Sequence, residues 1–271
     1  MTRLSFVCTT LFVLGFLMGL PAAARAQSDD AEALSLAQPD FTLVALPTSL
    51  RLPKYKGAFR VTHRFTRPLN DDFGDVAADL FGIDSGASIG LEYRFGIIPN
   101  GQIGLHRTSN RTVEFFGQYR VVPQSRSLVD VSAYVSVEGT NNFKDSYSPS
   151  VGAIVSRTIG DWAAVYVEPM WVNNTNALPK EVVDHNSTFI VGIGARVRVR
   201  PTVYVVAEGA PRSGYKPGTT QGSIGIEKRA GGHTFQINFS NGFGTTMAQV
   251  ARGGPDGNDW FLGFNISRKF F

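Results

Sequence analysis

The chain ends with Asp259-Trp260-Phe261-Leu262-Gly263-Phe264-Asn265-Ile266-Ser267-Arg268-Lys269-Phe270-Phe271. Large apolar side chains at Trp260, Leu262, Phe264 and Ile266 alternate with small or polar ones, which is the two-residue period of a β-strand with one apolar face. The apolar face continues to Phe270, so Phe271 is one residue out of phase with it. The stretch therefore predicts a final strand over 259–270.

The same alternation recurs upstream from Gly57 and predicts eleven further strands. The clearest lies at 187–200, where one face is apolar and the other carries glycine, threonine and arginine. The predicted strands cover 57–65, 88–95, 102–106, 112–121, 129–138, 149–159, 162–172, 187–200, 202–209, 222–229, 232–240 and 259–270. Such segments suit the crossing of a membrane by tilted strands, which takes about 9–11 residues each.

The connections between these strands alternate in length, as they do in outer-membrane barrels, where the short turns lie on the periplasmic side. Short turns are predicted at 99–101, 123–127, 160–161, 200–201 and 230–232, and long loops at 66–85, 139–147, 173–186, 210–219 and 241–258. The short connection at 108–110 is the exception. We therefore predict an all-β fold, a transmembrane antiparallel up-and-down β-barrel of about twelve strands with both ends periplasmic. The alternative, a soluble β-sandwich, does not require this alternation.

The N-terminal region has the features of a cleaved export signal. Arg3 precedes an apolar run over 4–20, and Ala24-Arg25-Ala26 forms a small-residue cleavage site, so residues 1–26 are predicted to be a signal peptide. Residues 27–56 lack a sustained period and are interpreted as a periplasmic lead-in, with a plug inside the barrel as the alternative. The barrel domain is predicted to span 57–271.

Composition excludes several classes of function. Cys8 is the single cysteine and lies in the predicted signal peptide, so the mature chain has no disulfide or thiolate metal site. Removal of residues 1–26 takes away two arginines and no acid, so the formal charge falls from +4 to +2. That value is too close to zero to indicate a nucleic-acid partner.

If the apolar face of each strand meets lipid, the opposite face carries charges into the lumen. The candidates are Arg60, Arg64, Arg94, Arg120, Arg196, Arg198, Arg200, Arg229, Lys269, Glu92, Glu114, Asp130, Glu138, Glu168, Glu208 and Glu227. These bases and acids nearly cancel, so they predict either a salt-bridge network or the lining of a narrow water path.

One asymmetry is the stripe formed by Arg196, Arg198 and Arg200 on one face of the strand at 187–200. Three guanidinium groups favour an anion site or an anion-selective pore. The other interpretation, which we favour, is that Glu168 and Glu208 on the two adjoining strands pair with the stripe.

Few residues indicate chemistry. The four histidines lie on separate predicted strands or loops without metal-ligand spacing, and glycine-rich stretches such as Gly192-Ile193-Gly194 lie inside strands, so no metal, cofactor or phosphate loop is predicted. His185, Ser187 and Asn173 lie near one rim and resemble the His-x-Ser plus Asn arrangement of the outer-membrane phospholipase A family. The resemblance implies a lipid hydrolase with Ser187 as nucleophile, His185 as its base and Asn173 orienting the histidine. The other interpretation is a polar loop that meets lipid headgroups.

A broader resemblance runs through the first half of the predicted barrel. Its motifs are His63-Arg64-Phe65, Phe81-Gly82-Ile83-Asp84, the second predicted strand from Leu91 to Ile97, and the third from Ile103 to Ser109. Together they resemble a domain-of-unknown-function family of Gram-negative outer-membrane barrels. The C-terminal stretch likewise resembles the sorting signal that the barrel-insertion machinery reads. These resemblances imply the fold and the location but no activity.

The sequence thus favours a protein of the cell outer membrane, exported through the inner membrane by a cleaved signal peptide. The expected partners are outer-membrane lipid and lipopolysaccharide, the barrel-insertion machinery and a small solute. The leading hypothesis is a narrow solute channel or a structural surface barrel. The alternatives are the lipid hydrolase and a barrel that binds a ligand with its extracellular loops.

Overall fold

A computed structural model describes residues 36–70, 73–78, 86–176, 186–216, 218–255 and 258–271. The predicted signal peptide and the motif at 81–84 lie outside the described residues. The described residues form twelve antiparallel strands, each hydrogen-bonded to its neighbours in chain order, and the first strand pairs with the last. The predicted up-and-down β-barrel is therefore confirmed.

The strands lie close to their predicted positions. They are β1 Gly57–Pro68, β2 Ala87–Ile98, β3 Gly101–Thr108, β4 Val113–Val122, β5 Asp130–Gly139, β6 Asp145–Ile159, β7 Ala163–Val172, β8 Thr188–Arg200, β9 Val203–Ala210, β10 Gln221–Ala230, β11 His233–Ser240 and β12 Phe261–Phe270. A short continuation of β9 at Arg212–Gly214 also pairs with β8. The helices are short: α1 Phe73–Ala78, α2 Thr140–Phe143, α3 Met247–Arg252 and a 3₁₀ turn at Gln124–Arg126. None of the helices in the described ranges has the length and apolar character needed to cross a membrane.

The ring closes between β1 and β12, which pair from Gly57 opposite Phe270 to Arg64 opposite Gly263. Closure leaves no open sheet edge, so the strands satisfy one another's backbone donors and acceptors all the way round. Only such a closed β-structure can place strands in hydrocarbon without unpaired backbone groups.

Burial alternates along the strands as the sequence predicts. On β3, Ile103 and Leu105 are 46% and 40% exposed, whereas the flanking Gln102 and His106 are at most 2% exposed. The same alternation on the other strands turns apolar side chains outward and polar ones inward. An apolar outer surface is what a membrane-spanning barrel presents to lipid.

One predicted long loop is a tight turn. The connection expected at 139–147 is short because β6 begins at Asp145, directly after α2. Asn141 and Asn142 within α2 have φ values of 50° and 58°. Asparagine tolerates this left-handed conformation better than most residues, so two consecutive asparagines allow the chain to reverse within a few residues.

The second half of the predicted lead-in does not lie outside the barrel. Residues 37–50 are all buried, and their contacts are with inward-facing side chains of the strands. The interpretation of 27–56 as a lead-in outside the barrel therefore does not hold for this part, which occupies the position of the plug alternative. No sequence period predicts this position, because a segment that packs against a curved wall on several sides has no single periodic face.

The apolar core of the molecule lies across the lumen. One cluster of buried side chains combines the N-terminal segment, α3 and inward-facing residues of the wall; it includes Leu43, Val44, Leu46, Tyr166, Met170, Ile190, Val206, Met247, Val250 and Ala251. We call this cluster the septum. It joins a segment that enters from the short-turn end to a helix that enters from the long-loop end, so the lumen is closed in this structure.

Candidate functional site

The element that closes the lumen from the short-turn end is a small hairpin. Thr48 N donates to Phe41 O and Leu43 N donates to Leu46 O, both at 2.8 Å, and Thr42 forms a bridge with Pro47. We call residues 41–48 the N-terminal hairpin. These internal hydrogen bonds satisfy part of the hairpin's backbone, so fewer of its donors and acceptors need partners on the wall of the lumen.

Glu208 on β9 holds the tip of the hairpin. Its carboxylate accepts hydrogen bonds from the backbone N–H groups of Val44, Ala45 and Leu46, at 2.9, 2.9 and 3.0 Å. Successive backbone N–H groups that converge in a turn form an anion-binding concavity, and hydrogen bonds to a charged acceptor are among the stronger ones. The carboxylate of Glu208 thus binds the main chain of the hairpin.

Four other wall side chains satisfy the hairpin's oxygen atoms. Arg196 Nη2 donates to Thr42 O at 2.6 Å and Arg60 Nη1 to Thr42 Oγ1 at 2.7 Å. Gln236 Nε2 donates to Leu43 O at 2.8 Å, and Asn265 Nδ2 donates to Val44 O at 2.9 Å. These donors come from β1, β8, β11 and β12, so the hairpin is held by the whole of one side of the ring.

Two glycines of β8 make room for the hairpin. A Cβ atom at Gly194 would lie 2.2 Å from Leu43 Cδ1, and one at Gly192 would lie 3.0 Å from Leu46 Cδ1. Any side chain at these positions would therefore displace the leucines. The position of these glycines inside a strand excludes a phosphate loop. Glycines inside a strand do indicate that another part of the chain approaches the strand closely.

The element that closes the lumen from the long-loop end is α3. Thr246 caps the helix by accepting from Gln249 N and donates its hydroxyl to Glu138, while Met247 N donates to Glu114 Oε1 at 3.1 Å. At the other end of the helix, Arg252 forms an ion pair with Glu138 and donates to Thr175 O. The carboxylates of β4 and β5 therefore fix the helix in the barrel.

The remaining lumen charges form a partly paired network. Arg60 contacts Glu92 at 2.5 Å, Arg94 also pairs with Glu92, and Arg120 contacts Asp130 at 2.7 Å. Arg64 donates to Asn265 Oδ1 at 2.9 Å. Lys269 donates to Pro39 O, beneath the hairpin. The network interpretation thus describes these residues better than a continuous water path.

The arginine stripe on β8 does not form the expected pairs. Arg196 is fully buried and binds Glu227 at 2.7 Å, not Glu168 or Glu208. Arg198 donates to the carbonyl of Pro201 at the short turn, and Arg200 is exposed at the same rim, while Arg229 is half-buried. The difference arises because Glu208 is occupied by the hairpin.

Glu168 on β7 is unlike the other lumen acids. It is fully buried, and neither of its carboxylate oxygens has a hydrogen-bond partner among the described residues. Its Cβ and the side chain of Leu46 both lie next to Gly192, which places the carboxyl group beside the septum. A buried carboxyl group without donors costs stability, so Glu168 is a point of weakness behind the hairpin.

The residues of the hydrolase hypothesis are only partly described. Ser187 Oγ donates to Asn173 Oδ1 at 3.0 Å, and both residues are exposed at the long-loop rim. His185 lies outside the described residues. In the hypothesis the asparagine orients the histidine, whereas here it accepts directly from the serine, so the geometry gives the hydrolase no added support.

Structures of known proteins share this architecture at low sequence identity. The KdgM porin superposes with a TM-score of 0.51 and 7% identity over 80% of this chain and 99% of the porin. An outer membrane channel from Pseudomonas putida F1 superposes with a TM-score of 0.49 and 11% identity over 81% of this chain and 97% of that channel. A mutant porin of Rhodopseudomonas blastica superposes with a TM-score of 0.37 and 12% identity over 68% of this chain. This chain covers 55% of the length of that porin.

The likeness to the KdgM porin concerns the fold alone at this level of identity. No curated protein matches the chain. The family described as "Membrane bound beta barrel domain (DUF5777)" has a model that matches residues 40–270, from the N-terminal hairpin to the last strand. The resemblance to a barrel family of unknown function is thereby confirmed, and the chain belongs to this family of membrane-bound β-barrel domains.

Proposed function

We propose that this protein is a solute channel of the outer membrane, closed in this structure by the N-terminal hairpin and α3. The proposal is supported by membership of a membrane-bound barrel family and by the polar inner wall. The proposed location follows from the predicted signal peptide and from the short turns at one end of the barrel. In this orientation the hairpin enters from the periplasm and α3 from the cell exterior.

The observation that carries the proposal is how the hairpin is attached. It is joined to the wall covalently only through residues 49–56, and every described hydrogen bond that holds it in the lumen runs to a side chain of a strand. Its departure would therefore break no pairing between neighbouring strands. A closure that can leave without opening the ring is suited to a gate.

The wall behind the hairpin is suited to water. Removing the hairpin would expose Arg60, Arg64, Glu208, Gln236 and Asn265, all of which are polar and all of which now use the hairpin as a partner. Charged and polar side chains around a narrow lumen set the selectivity of a pore. The family match begins at residue 40, so the hairpin belongs to the same domain as the wall that it closes.

The proposal is tested by conductance in planar lipid bilayers. Replacing residues 37–50 by a Gly-Ser segment of the same length should convert a mostly silent barrel into one with frequent, stable openings. The control replaces the exposed residues 126–128 by Gly-Ser and should behave like the native protein. Retention of the β-sheet circular dichroism spectrum shows that each variant is folded.

If the barrel without the hairpin is folded and still silent, the channel proposal is wrong. The protein would then be a structural surface barrel or one that binds a ligand with its loops. Openings in the native protein at the same frequency as in the variant would contradict the role of the hairpin as the gate.

A further inference from the structure

A cavity of about 550 Å³ lies at the short-turn end of the barrel, between the N-terminal segment and the wall. The segment contributes Gln38 and residues 50–54, and the wall contributes Arg120, Asp130, Thr158 and the turns near Asn100 and Gln124. A volume in this range is typical of sites for small molecules, about 300–1,000 Å³. The cavity lies below the hairpin, on the side from which a periplasmic solute would reach it.

The polar walls of the cavity carry more positive than negative charge. Its ionisable residues are Arg51, Lys54, Arg120 and Asp130. Arg120 binds Asp130 at 2.7 Å, but Arg120 Nε is buried with no hydrogen-bond partner among the described residues. Gln124, by contrast, is satisfied by Thr158. One acid therefore faces three bases.

Arg51 has no counter-charge of its own among the described residues, and neither has Lys54. The side chain of Arg51 makes no hydrogen bond or ion pair within the described part of the chain. Burial lowers the pKa of Arg51 from its ordinary value, and the nearby charge of Arg120 lowers it further, against the opposing effect of Asp130. Two guanidinium groups thus repel each other across the cavity while they share one carboxylate.

The other walls are apolar. Leu50, Leu52 and three prolines, Pro53, Pro99 and Pro123, face the same space. An anion with no apolar part would leave these side chains in contact with water. A ligand with a carboxylate at one end and a compact apolar body at the other would satisfy both kinds of wall.

We propose that this cavity is a binding site for a small organic carboxylate, held between the guanidinium groups of Arg51 and Arg120. The planar donor fork of arginine matches the two oxygens of a carboxylate, and the side chain of Arg120 remains 20% exposed while it binds Asp130. Lys54 adds a third positive charge at the rim, and the prolines and leucines contact the apolar body.

Occupancy of the site is coupled to the position of the hairpin. Arg51 belongs to the segment that leads to the hairpin, whereas Arg120 belongs to β4, so an anion held by both binds the closed arrangement better than an open one. A ligand that prefers one state shifts the equilibrium toward it. This consequence rests on the proposed gate, but binding itself does not.

The site is tested by isothermal titration of benzoate into the purified full-length barrel in detergent. Native protein should bind benzoate, and Arg51→Gln should weaken binding about tenfold or more, as expected for the loss of a charge-assisted hydrogen bond. Arg51→Lys should retain part of the affinity. The control Arg126→Gln removes the same charge from the neighbouring exposed turn and should leave the affinity unchanged.

Absence of benzoate binding to the native protein, or equal binding by Arg51→Gln, overturns the inference. Inorganic phosphate is the second probe, and phosphate binding without benzoate binding contradicts the role of the apolar wall. The titration does not depend on conduction. A barrel that stays silent without the hairpin but binds benzoate through Arg51 would therefore contradict the channel proposal and support the binding site.

Discussion

At the scale of single residues, the two inward-facing acids Glu208 and Glu168 show how the same side chain can have opposite effects. Glu208 accepts three backbone N–H groups, whereas Glu168 has no donor among the described residues. Hydrogen bonds to a charged group contribute about 1.5–3 kcal/mol each, and a buried carboxyl group without them is destabilising. The first therefore holds the hairpin and the second weakens its surroundings.

Glu208→Gln should loosen the hairpin, because an amide cannot accept from three converging donors as a carboxylate does. We expect a loss of about 2 kcal/mol in docking, and hence roughly thirtyfold faster exposure of the hairpin. The measurement is maleimide labelling of Ala45→Cys in a background that lacks Cys8. Equal labelling rates with and without the substitution would show that the carboxylate does not hold the hairpin.

Glu168→Met should stabilise the folded protein, because methionine has a similar shape and no polar group to leave unsatisfied beside Leu46. Replacing buried charges by apolar residues of similar volume stabilises proteins by about 1–4 kcal/mol in favourable cases. The readout is the urea midpoint of unfolding in lipid vesicles. A lower midpoint than in the native protein would indicate that Glu168 has a partner that stabilises it.

At the scale of elements, the end of the C-terminal strand contacts both the outer face and the interior of the barrel. Phe270 is 49% exposed on the outer face, whereas Phe271 follows β12 and packs against a buried cluster of Phe41, Leu50, Leu52 and Ala58. The break in phase at Phe271, visible in the sequence, thus has a physical reason. The final residue turns inward and contacts the segment that carries the hairpin.

Phe271→Ala should therefore loosen the hairpin, while Phe270→Ala, its matched control, should not. Phe271 is only partly buried, so we expect about 1–2 kcal/mol, less than the 3–5 kcal/mol of a fully buried phenylalanine. Labelling of Ala45→Cys should become roughly tenfold faster in the first variant and stay unchanged in the second. Faster labelling in Phe270→Ala than in Phe271→Ala would show that the lipid-facing phenylalanine, and not the inward-facing one, holds the hairpin.

At the scale of the whole molecule, closure of the lumen depends on contacts between parts of the chain that lie far apart. Ser49, behind the hairpin, and Ser156 on β6 place their hydroxyl oxygens 2.6 Å apart, and both side chains are buried. Cysteines at these positions would bring their sulfur atoms together, which is the first requirement for a disulfide. Such a bond would tie the N-terminal segment to the wall.

Ser49→Cys with Ser156→Cys should abolish the rare openings of the native channel when oxidised and restore them after reduction, measured in planar bilayers. The control pair is Ser136→Cys with Ser150→Cys, whose oxygens are also 2.6 Å apart but which join β5 to β6 within the wall. The control should show the same rare openings in both redox states. Conduction by the oxidised first pair would mean that the hairpin can stay in place while solute passes.

The fold could be predicted from the sequence because its signals are local. The alternation along 187–200 and 259–270 fixes which side chains face outward, and the alternating connection lengths fix the order of neighbours. The break in phase at Phe271 and the pair Gly192 and Gly194 were also visible, but each has meaning only when its distant partner is known.

The candidate site depended on the tertiary structure, because its contacts join residues that no local pattern relates. Glu208 meets Val44 across 164 residues, and Arg252 meets Glu138 across 114. Inward-facing charges can select among several partners around a ring, so the choice of Glu227 for Arg196 follows from where the hairpin lies. The sequence by itself determined the barrel and its two faces; only the tertiary structure decided that the lumen is closed, since closure arises from packing across the ring.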